Sequence, residues 1–356
     1  MKKIAVAMSG GLDSTYAAIK LKEQGFDIFG ITLQMFCHQH PADELDNIDP
    51  FQEVKGICDK LGIPHVLVRA EEFFESTIIK NFCDEYLNAL TPNPCVLCNK
   101  EIKFGLLLEE ALARGATHIA TGHYASIEFD EGKKRYLLKS GRDVTKDQSY
   151  FLWRLNQYQL EHTIFPLAKD SKEVIRKKVA VYNLNVEDKL ESQEICFVPN
   201  NDYKEFLKNR LSEKIKPGNI IDEDGNVLGE HKGFPFYTIG QRKGLGISAP
   251  NPLHVLEIRT QTNEVVVGPK EKLYRKGLIA HECNWIRFEE LKETIRAKAK
   301  VRFNTIEKAC TIFPDPDGIK VIFDKPQMSI TPGQSVVFYN GEFVIGGGII
   351  ERAIEQ

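Results

Sequence analysis

The chain has 356 residues, of which 42% are apolar and 27% are charged, and its net charge is −3. This length allows two or three domains with separate cores, and the composition is typical of a globular protein. The small net charge excludes a polycation, so any contact with nucleic acid must use a local basic surface. No apolar run is long enough to span a bilayer.

The N-terminus does not have the pattern of a secretory signal. Two lysines and a short apolar run come directly before glycines, without a longer apolar stretch or a small-residue cleavage site. We therefore expect a cytoplasmic protein that does not enter a membrane. In that compartment its eight cysteines are mostly reduced thiols. Cysteines in polar loops are then candidates for catalysis or metal binding.

Strand and helix patterns alternate through about the first 200 residues. Strand patterns occupy 4–8, 28–35, 65–68 and 117–121, and helical patterns lie near 51–61, 72–90 and 99–114. A further helical segment follows the first strand and ends at Gly25. Such alternation predicts an α/β domain over residues 1–200, with a doubly wound parallel sheet that helices cover on both faces.

The pattern changes to short β-rich runs after about residue 200. Glycines and prolines are frequent between 217 and 246, which predicts a small β-rich central domain over residues 201–275. Five short strand patterns follow between 296 and 350. Their spacing indicates a small barrel or sandwich, and we expect a C-terminal antiparallel β-barrel over residues 276–356.

A glycine-rich loop, Ser9-Gly10-Gly11-Leu12-Asp13-Ser14, joins the first strand to the first helix. Two glycines let the backbone approach an anion closely, and the helix start directs N–H groups at the same point. Ser9 and Ser14 add hydroxyl donors, and Asp13 could hold the Mg²⁺ that accompanies a nucleotide. A tight turn with Ser14 as helix cap is the alternative interpretation.

The loop resembles the SGGxDS fingerprint of the pyrophosphate-loop ATPases. The resemblance implies cleavage of ATP between its α- and β-phosphates, transfer of AMP to an oxygen atom, and a loop that holds the departing pyrophosphate. That superfamily contains amide-forming synthetases as well as sulfur-insertion enzymes, so the loop alone leaves the acceptor open.

Cys95 and Cys98 precede a helical pattern, and Cys196 lies far along the chain among polar residues. A helix N-terminus with Lys100 and Lys103 nearby favours a thiolate, so we expect Cys98 to be a nucleophile. Two thiols that meet can relay sulfur, because one carries a persulfide and the other attacks its inner sulfur. A redox pair and half of a zinc site remain open alternatives for the C-x-x-C pattern, although the usual second pair of zinc ligands is missing.

The chain resembles the bacterial tRNA-specific 2-thiouridylase (MnmA/TrmU) family over nearly its whole length. The matching stretches include TPNPCVLCNKEIKFG, ATGHYA, KDQSYFLWRL, SQEICF, FYTIGQRKGLG and PGQSVVFY, besides AMSGGLDS around the loop. The resemblance implies an ATP-dependent tRNA sulfurtransferase that replaces the 2-oxygen of the wobble uridine in the tRNAs for lysine, glutamate and glutamine. It also implies a persulfide sulfur donor protein as a partner.

The resemblance assigns roles to individual residues. It implies Cys98 as nucleophile and Cys196 as persulfide carrier, with a possible disulfide between them. The implied ATP-binding residues are Ala7, Met8, Ser9, Gly10, Gly11, Leu12, Asp13, Ser14, Leu33 and Gly122. The implied tRNA-binding residues are Asn93, Pro94 and Cys95 beside the target base, and His123, Lys146, Asp147, Gln148, Arg302, Phe303 and Gln334.

The chain departs from the family at Cys95, where the family usually has aspartate. A thiol cannot replace a carboxylate as base or as acceptor. Cys95, Cys98 and Cys196 could instead hold an iron–sulfur cluster with one iron open to sulfide. An iron–sulfur-dependent thiolase is therefore an alternative to the persulfide mechanism, beside an amide-forming synthetase.

A basic strand pattern lies in the predicted barrel. Residues 295–303 alternate strictly, so a strand would place Arg296, Lys298, Lys300 and Arg302 on one face. Four cations along one strand predict a track for RNA phosphates. A solvated outer face of the barrel is the alternative interpretation.

Overall fold

The N-terminal domain is built on a five-stranded parallel sheet. A computed structural model describes residues 2–35, 50–186 and 195–354. Its first elements are β1 (Lys3–Ala7), α1 (Leu12–Glu23), β2 (Asp27–Gln34), α2 (Pro50–Leu61), β3 (His65–Arg69), α3 (Glu71–Phe74), α4 (Lys80–Leu87), α5 (Pro94–Cys98), α6 (Leu107–Ala113), β4 (His118–Ala120), β5 (Ala125–Asp130), β6 (Arg135–Ser140), α7 (Gln157–Glu161), β7 (Thr163–Ile164) and α8 (Lys172–Ala180). The strand order is β3-β2-β1-β4-β7, and every pairing in this sheet is parallel.

Helices pack on both faces of this sheet, as the alternating pattern predicts. Ile4 and Val6 of β1 belong to a buried cluster with residues of α1, α2 and α8. Ala5 points the other way, into a cluster with residues of α5 and α6. The predicted doubly wound α/β architecture is confirmed.

Two helices of this domain contain π turns. Glu75–Ile79 joins α3 to α4, and Asn99–Leu106 joins α5 to α6. The second of these long helices begins at Pro94, not at the predicted residue 99, because proline is favourable in the first position of a helix. Cys95 and Cys98 therefore lie within the helix.

The central domain is a small four-stranded sheet. Its elements are α9 (Tyr203–Leu211), β8 (Gly218–Ile221), β9 (Val227–His231), β10 (His254–Arg259) and β11 (Glu264–Gly268). The strand order is β10-β11-β8-β9. Short 3₁₀ turns occur here and elsewhere, at Ser149–Leu152, Pro166–Lys169, Pro199–Asn201, Phe234–Phe236 and Lys270–Leu273. Ile220, Val255 and Val265 form its core with Tyr237 and Leu245.

The C-terminal domain is a closed antiparallel barrel, as predicted. Its strands are β12 (Tyr274–Trp285), β13 (Ile295–Lys300), β14 (Lys308–Asp315), β15 (Gly318–Met328), β16 (Ser335–Asn340) and β17 (Phe343–Ile354). The barrel closes because β12 pairs with both β15 and β17. The sequence patterns did not reveal β12, nor the hairpin β5–β6, which extends the barrel sheet through pairing of β6 with β17.

The basic strand is shorter than the pattern suggests. β13 ends at Lys300, so Arg302 lies beyond it and does not share its exposed face. The expectation of four cations in one row is therefore wrong for Arg302. Within the described ranges, the structure contains no helix with the length and apolar character needed to cross a bilayer.

Candidate active site

The glycine-rich loop lies between the end of β1 and the start of α1. Gly10 has a φ of +76°, which favours glycine, and Gly11 precedes the helix in an extended conformation. The Ser14 hydroxyl donates to the Gly11 carbonyl at 3.0 Å, and the Ser9 hydroxyl donates to Ser14 at 3.1 Å. Both hydroxyls thus hold the loop together. The backbone N–H groups of the loop and of the first helical turn are left as donors for an anion.

Gly122 packs directly against this loop, as its predicted place in the ATP site requires. A Cβ atom at Gly122 would lie 2.9 Å from the carbonyl carbon of Asp13 and 3.0 Å from the Ser14 nitrogen. Only glycine allows the segment after β4 to cross the helix start this closely. Leu33 lies on β2, the neighbour of β1, so it is at the same carboxyl edge of the sheet. Ligands bind at this edge in open α/β sheets.

Asp13 is held by a lysine that the sequence patterns did not single out. Lys172 Nζ donates to both carboxylate oxygens of Asp13 at 2.8 Å, and the Tyr124 hydroxyl donates to Oδ1 at 2.7 Å. Lys172 is buried in the first turn of α8, where the helix dipole disfavours a cation. A buried lysine at that position was the available sequence signal, because it needs a nearby carboxylate.

Three thiols lie near one another beside this edge of the sheet. Cys98 is buried in an apolar cluster that also contains Phe197, next to Cys196, and Leu33 packs against the same cluster. Cys95 and Cys196 are exposed. Burial by surrounding protein nevertheless raises the pKa of both exposed thiols. Cys95 and Cys196 thus combine access to solvent with close packing of protein around them.

The expectation that Cys98 is a thiolate is wrong for this structure. Burial raises the pKa of the Cys98 thiol to about 12 and outweighs the opposing effect of Lys103. Cys95 and Cys196 raise it further, because like charges on neighbouring sulfur atoms would repel. The helix start at Pro94 explains this outcome, because it places Cys98 inside the helix and against the apolar cluster.

Lys103 acts electrostatically on the thiols and on His123, the residue that follows Gly122. Lys103 lowers the pKa of Cys95, Cys98 and Cys196, and it also acts on His123. The His123 ring packs 5.6 Å from the Phe104 ring, and its Nδ1 lies 2.8 Å from the Thr121 hydroxyl. Burial holds the pKa of His123 well below its ordinary value, so the ring is neutral at pH 7.

Barrel residues hold the segment that leads into the cysteine helix. Gln334 Nε2 donates to the carbonyls of Thr91 and Pro92 at 3.0 and 3.1 Å, and the Thr91 N–H donates to Pro332 at 2.9 Å. Asn93 follows this segment and occupies the N-cap position of the helix, without a capping hydrogen bond from its side chain. The amide nitrogen of Gln334, a predicted tRNA contact, therefore stabilises the segment before the cysteine helix.

Other predicted tRNA contacts also take part in internal hydrogen bonds. Asp147 is buried and accepts from Gly141 N–H and from both donors of Ser149. Gln148 Oε1 accepts from the Tyr124 N–H at 3.1 Å. These bonds shape the loop next to Gly122. Lys146, which precedes Asp147 and is half-buried, is the positively charged residue of this predicted set. Contact of this loop with tRNA stays a prediction.

Arg302 and Phe303 lie where the barrel meets the other domains. Arg302 Nη2 donates to the Ile239 carbonyl at 3.0 Å and to the Thr331 hydroxyl. Burial lowers the pKa of the Arg302 guanidinium, which nevertheless stays charged. Phe303 is 37% exposed and packs 4.4 Å from the ring of Phe151. An exposed aromatic ring of this kind can stack on a base.

A protein metal site needs several ligand side chains that converge on one point. Among residues 2–35, 50–186 and 195–354, no group of three or more His, Cys, Asp or Glu side chains is arranged to hold a metal ion. The candidate cluster ligands Cys95, Cys98 and Cys196 interact but do not form such a group. Cys37, His38 and His40, which could complete a zinc site, lie outside the described residues.

Family models match three successive parts of the chain. They describe a tRNA methyl transferase HUP domain over residues 2–200, a tRNA methyl transferase PRC-barrel domain over 204–269 and an aminomethyltransferase beta-barrel domain over 275–350. The loop, the parallel sheet and the first model together define a nucleotide-binding α/β protein of the HUP class.

Curated relatives match over the whole length. A tRNA-specific 2-thiouridylase MnmA 1 of Caldanaerobacter subterraneus subsp. tengcongensis is 48% identical, over 99% of this chain and 98% of its own. A tRNA-specific 2-thiouridylase MnmA of Halothermothrix orenii is 46% identical, over 99% of both chains. The chain belongs to the MnmA family of tRNA-specific 2-thiouridylases, which are tRNA sulfurtransferases.

A solved structure is similar at a lower level. The U34-tRNA thiolase NcsA from Methanococcus maripaludis, determined with its [4Fe-4S] cluster, has a TM-score of 0.33 and 19% identity. The match covers 60% of this chain and 66% of that one. A TM-score this low carries no argument about the function of this chain.

Proposed function

We propose that the chain uses ATP to activate the C2 oxygen of the wobble uridine in tRNA and replaces that oxygen with sulfur from a persulfide on Cys196. One observation carries the proposal. Gly122 packs against the anion-binding loop, and the next residue, His123, packs on Phe104 of the cysteine helix. The charge of Lys103, the residue before Phe104, acts on His123 and on the thiols of Cys98 and Cys196. This arrangement supports the proposal that the nucleotide site and the sulfur chemistry share one cleft.

In the first half-reaction, the C2 oxygen attacks the α-phosphorus of ATP and pyrophosphate leaves. The backbone N–H groups of the loop hold the phosphates, with Ala7 to Ser14, Leu33 and Gly122 as the ATP site. Lys172 neutralises Asp13, so this carboxylate repels the polyphosphate less. Both oxygens of Asp13 are already engaged, so the residues present do not fit a Mg²⁺ site at Asp13 itself. Mg²⁺ would be held mainly by the phosphate oxygens.

In the second half-reaction, the terminal sulfur of the Cys196 persulfide attacks C2. The C2–O bond breaks, and AMP leaves with its electron pair. The Cys98 thiol then attacks the inner sulfur of Cys196, the S–S bond to the outer sulfur breaks, and the Cys98 proton passes to the 2-thiouracil anion that leaves. The outer sulfur stays on C2, and Cys98 and Cys196 form a disulfide. An external dithiol must supply two electrons to reduce this disulfide before the next cycle.

The partners follow from this chemistry and from the relatives' names. We propose the tRNAs for lysine, glutamate and glutamine as substrates and a persulfide-carrying protein as sulfur donor, both in the cytoplasm. The target base must leave its stack to reach the cleft, where Asn93, Pro94 and Cys95 stand at its entrance. Lys146, His123, Arg302, Phe303 and Gln334 belong to the proposed tRNA surface.

Mass analysis of tRNA nucleosides tests the proposal. The protein is incubated with ATP, Mg²⁺, glutathione persulfide, a dithiol and unmodified tRNA, and 2-thiouridine and pyrophosphate are measured. The wild type should form 2-thiouridine, and its pyrophosphate release should depend on tRNA. Cys196→Ser should keep pyrophosphate release but form no 2-thiouridine. Pyrophosphate release without tRNA, unaffected by Cys196→Ser, would instead indicate an amide-forming synthetase.

Cys95→Ser in the same assay separates the persulfide mechanism from the iron–sulfur alternative. Cys95 transfers no sulfur in the persulfide mechanism, so the variant should still form 2-thiouridine. A ligand of an essential cluster could not be replaced in this way. Loss of thiolation together with loss of bound iron from anaerobically purified protein would overturn the persulfide mechanism.

A further inference from the structure

Two lysines near the thiols differ in their surroundings. Lys100 Nζ forms an ion pair with the carboxylate of Glu101 at 2.9 Å. Lys103 is half-buried, and no carboxylate in the described part of the chain forms an ion pair with it. It is also the one side chain whose charge acts on Cys95, Cys98, Cys196 and His123 alike, among the described residues. A half-buried cation that none of the described carboxylates pairs with is suited to an anionic ligand.

A π turn sets the direction of Lys103. In an α-helix, residues five positions apart lie about 140° apart around the axis. In the π turn Asn99–Leu106 the hydrogen bonds span five residues, as from Leu107 N–H to the Ile102 carbonyl. Lys103 therefore lies on the same face of the helix as Cys98. π turns occur frequently at functional sites.

A side chain from another element holds this turn. Gln159 of α7 is buried, and its Nε2 donates to the carbonyls of Lys100 and Phe104 at 2.9 and 3.0 Å. Asn99 Nδ2 donates to the Phe151 carbonyl at 3.0 Å. The π turn is thus fixed on both sides of Lys103, and its position beside the thiols is part of the fold.

We propose that Lys103 is a catalytic residue of the sulfur-transfer half-reaction, in which its ammonium group contacts the sulfur anion that passes from Cys196 to C2. This inference rests on the proposed function. Each transfer step places a negative charge on sulfur: first on the terminal persulfide sulfur, and then on the sulfur bound to C2. A fixed cation in a cleft stabilises such charge without reorganisation.

The adenylation half-reaction does not need Lys103. The loop has its own electropositive group, the N–H groups at the start of α1, and Lys172 already offsets the charge of Asp13. The neutral His123 ring adds no charge there. A variant without the Lys103 cation should therefore be slow in one half-reaction only.

The test compares both half-reactions in Lys103→Met, Lys103→Arg and the matched control Lys100→Met. We expect Lys103→Met to form 2-thiouridine about 100-fold more slowly, as for loss of one electrostatic group in an active site. Its tRNA-dependent pyrophosphate release should stay at the wild-type rate, which a folding defect would not allow. Lys103→Arg should recover most of the thiolation rate, and Lys100→Met should retain it.

Two results would overturn the assignment. One is wild-type thiolation by Lys103→Met, and the other is an equal loss of thiolation and pyrophosphate release in a folded Lys103→Met protein. Thiolation by the wild-type enzyme distinguishes a wrong assignment of Lys103 from a wrong proposed function. If the wild type forms no 2-thiouridine with any tRNA, the proposed function itself is wrong and Lys103 loses its role with it.

Discussion

Glu85 of α4 has a buried carboxyl group where the N-terminal domain meets the barrel. Its Oε2 has no hydrogen-bond partner among the described residues, and the ion pair between Arg154 and Glu282 lies nearby. Burial raises the pKa of Glu85 from 4.5 to about 7. Folding therefore favours the protonated form of this group.

The raised pKa of Glu85 makes the stability of the protein depend on pH. Its favourable contribution is complete below pH 4.5 and is lost as the pH rises through about 7. We expect Glu85→Gln to be more stable than the wild type at pH 8, by about 2 kcal/mol, and similar to it at pH 5. Urea unfolding at both pH values measures this difference. The same difference between the two proteins at pH 5 and pH 8 would contradict the assignment.

At the scale of elements, the π turn depends on one amide group. Gln159→Glu keeps the oxygen that accepts from the Asn156 N–H but places a second oxygen against the carbonyls of Lys100 and Phe104. We expect a loss of about 2 kcal/mol in the free energy of unfolding, because two buried carbonyls lose their donor. Denaturant unfolding measures it, with Tyr158→Phe as the neighbouring control. A Gln159→Glu protein as stable as the control would show that the turn does not need this clamp.

Elements defined by local patterns could be predicted from the sequence, whereas elements defined by distant partners could not. The strands and helices around the parallel sheet follow from apolar periodicity and glycine stops. The π turn depends on Gln159, which lies more than fifty positions from Lys103. The hairpin β5–β6 is joined to β17 some two hundred positions away. Such pairings leave no signal in a local window.

At the scale of the whole molecule, spacing in the sequence predicted a role for the loop and the thiols but not the charges near them. The loop and Cys98 have spacing signals, and both lie in the site. The ion pair of Lys172 with Asp13 joins residues 159 positions apart. The prediction of a thiolate at Cys98 was wrong, because burial raises the pKa of this thiol more than Lys103 lowers it. Spacing along the chain predicts which residues can meet, but burial decides their charge state.

Among the described residues, Lys298 is the cation of the basic strand that has neither an ion pair nor a contact with an aromatic ring. Arg296 forms a bidentate ion pair with Asp324, with both distances at 2.7 Å, and Lys300 lies 5.3 Å from the centre of the Tyr339 ring. Lys298 is exposed on the same strand, and the described carboxylates leave it without an ion pair. A phosphate meets least competition at Lys298, so this residue should contribute most to tRNA binding.

The salt dependence of tRNA binding tests this role. We expect Lys298→Gln to weaken binding and to reduce the slope of log K against log salt by about 1, which corresponds to one lost phosphate contact. The double variant Arg296→Gln/Asp324→Asn removes an ion pair without changing the net charge and should keep the wild-type slope. Filter binding across a range of salt concentrations measures both. Each phosphate that the protein neutralises releases counterions and adds to the slope. A wild-type slope for Lys298→Gln would therefore mean that Lys298 contacts no phosphate and that the RNA binds elsewhere.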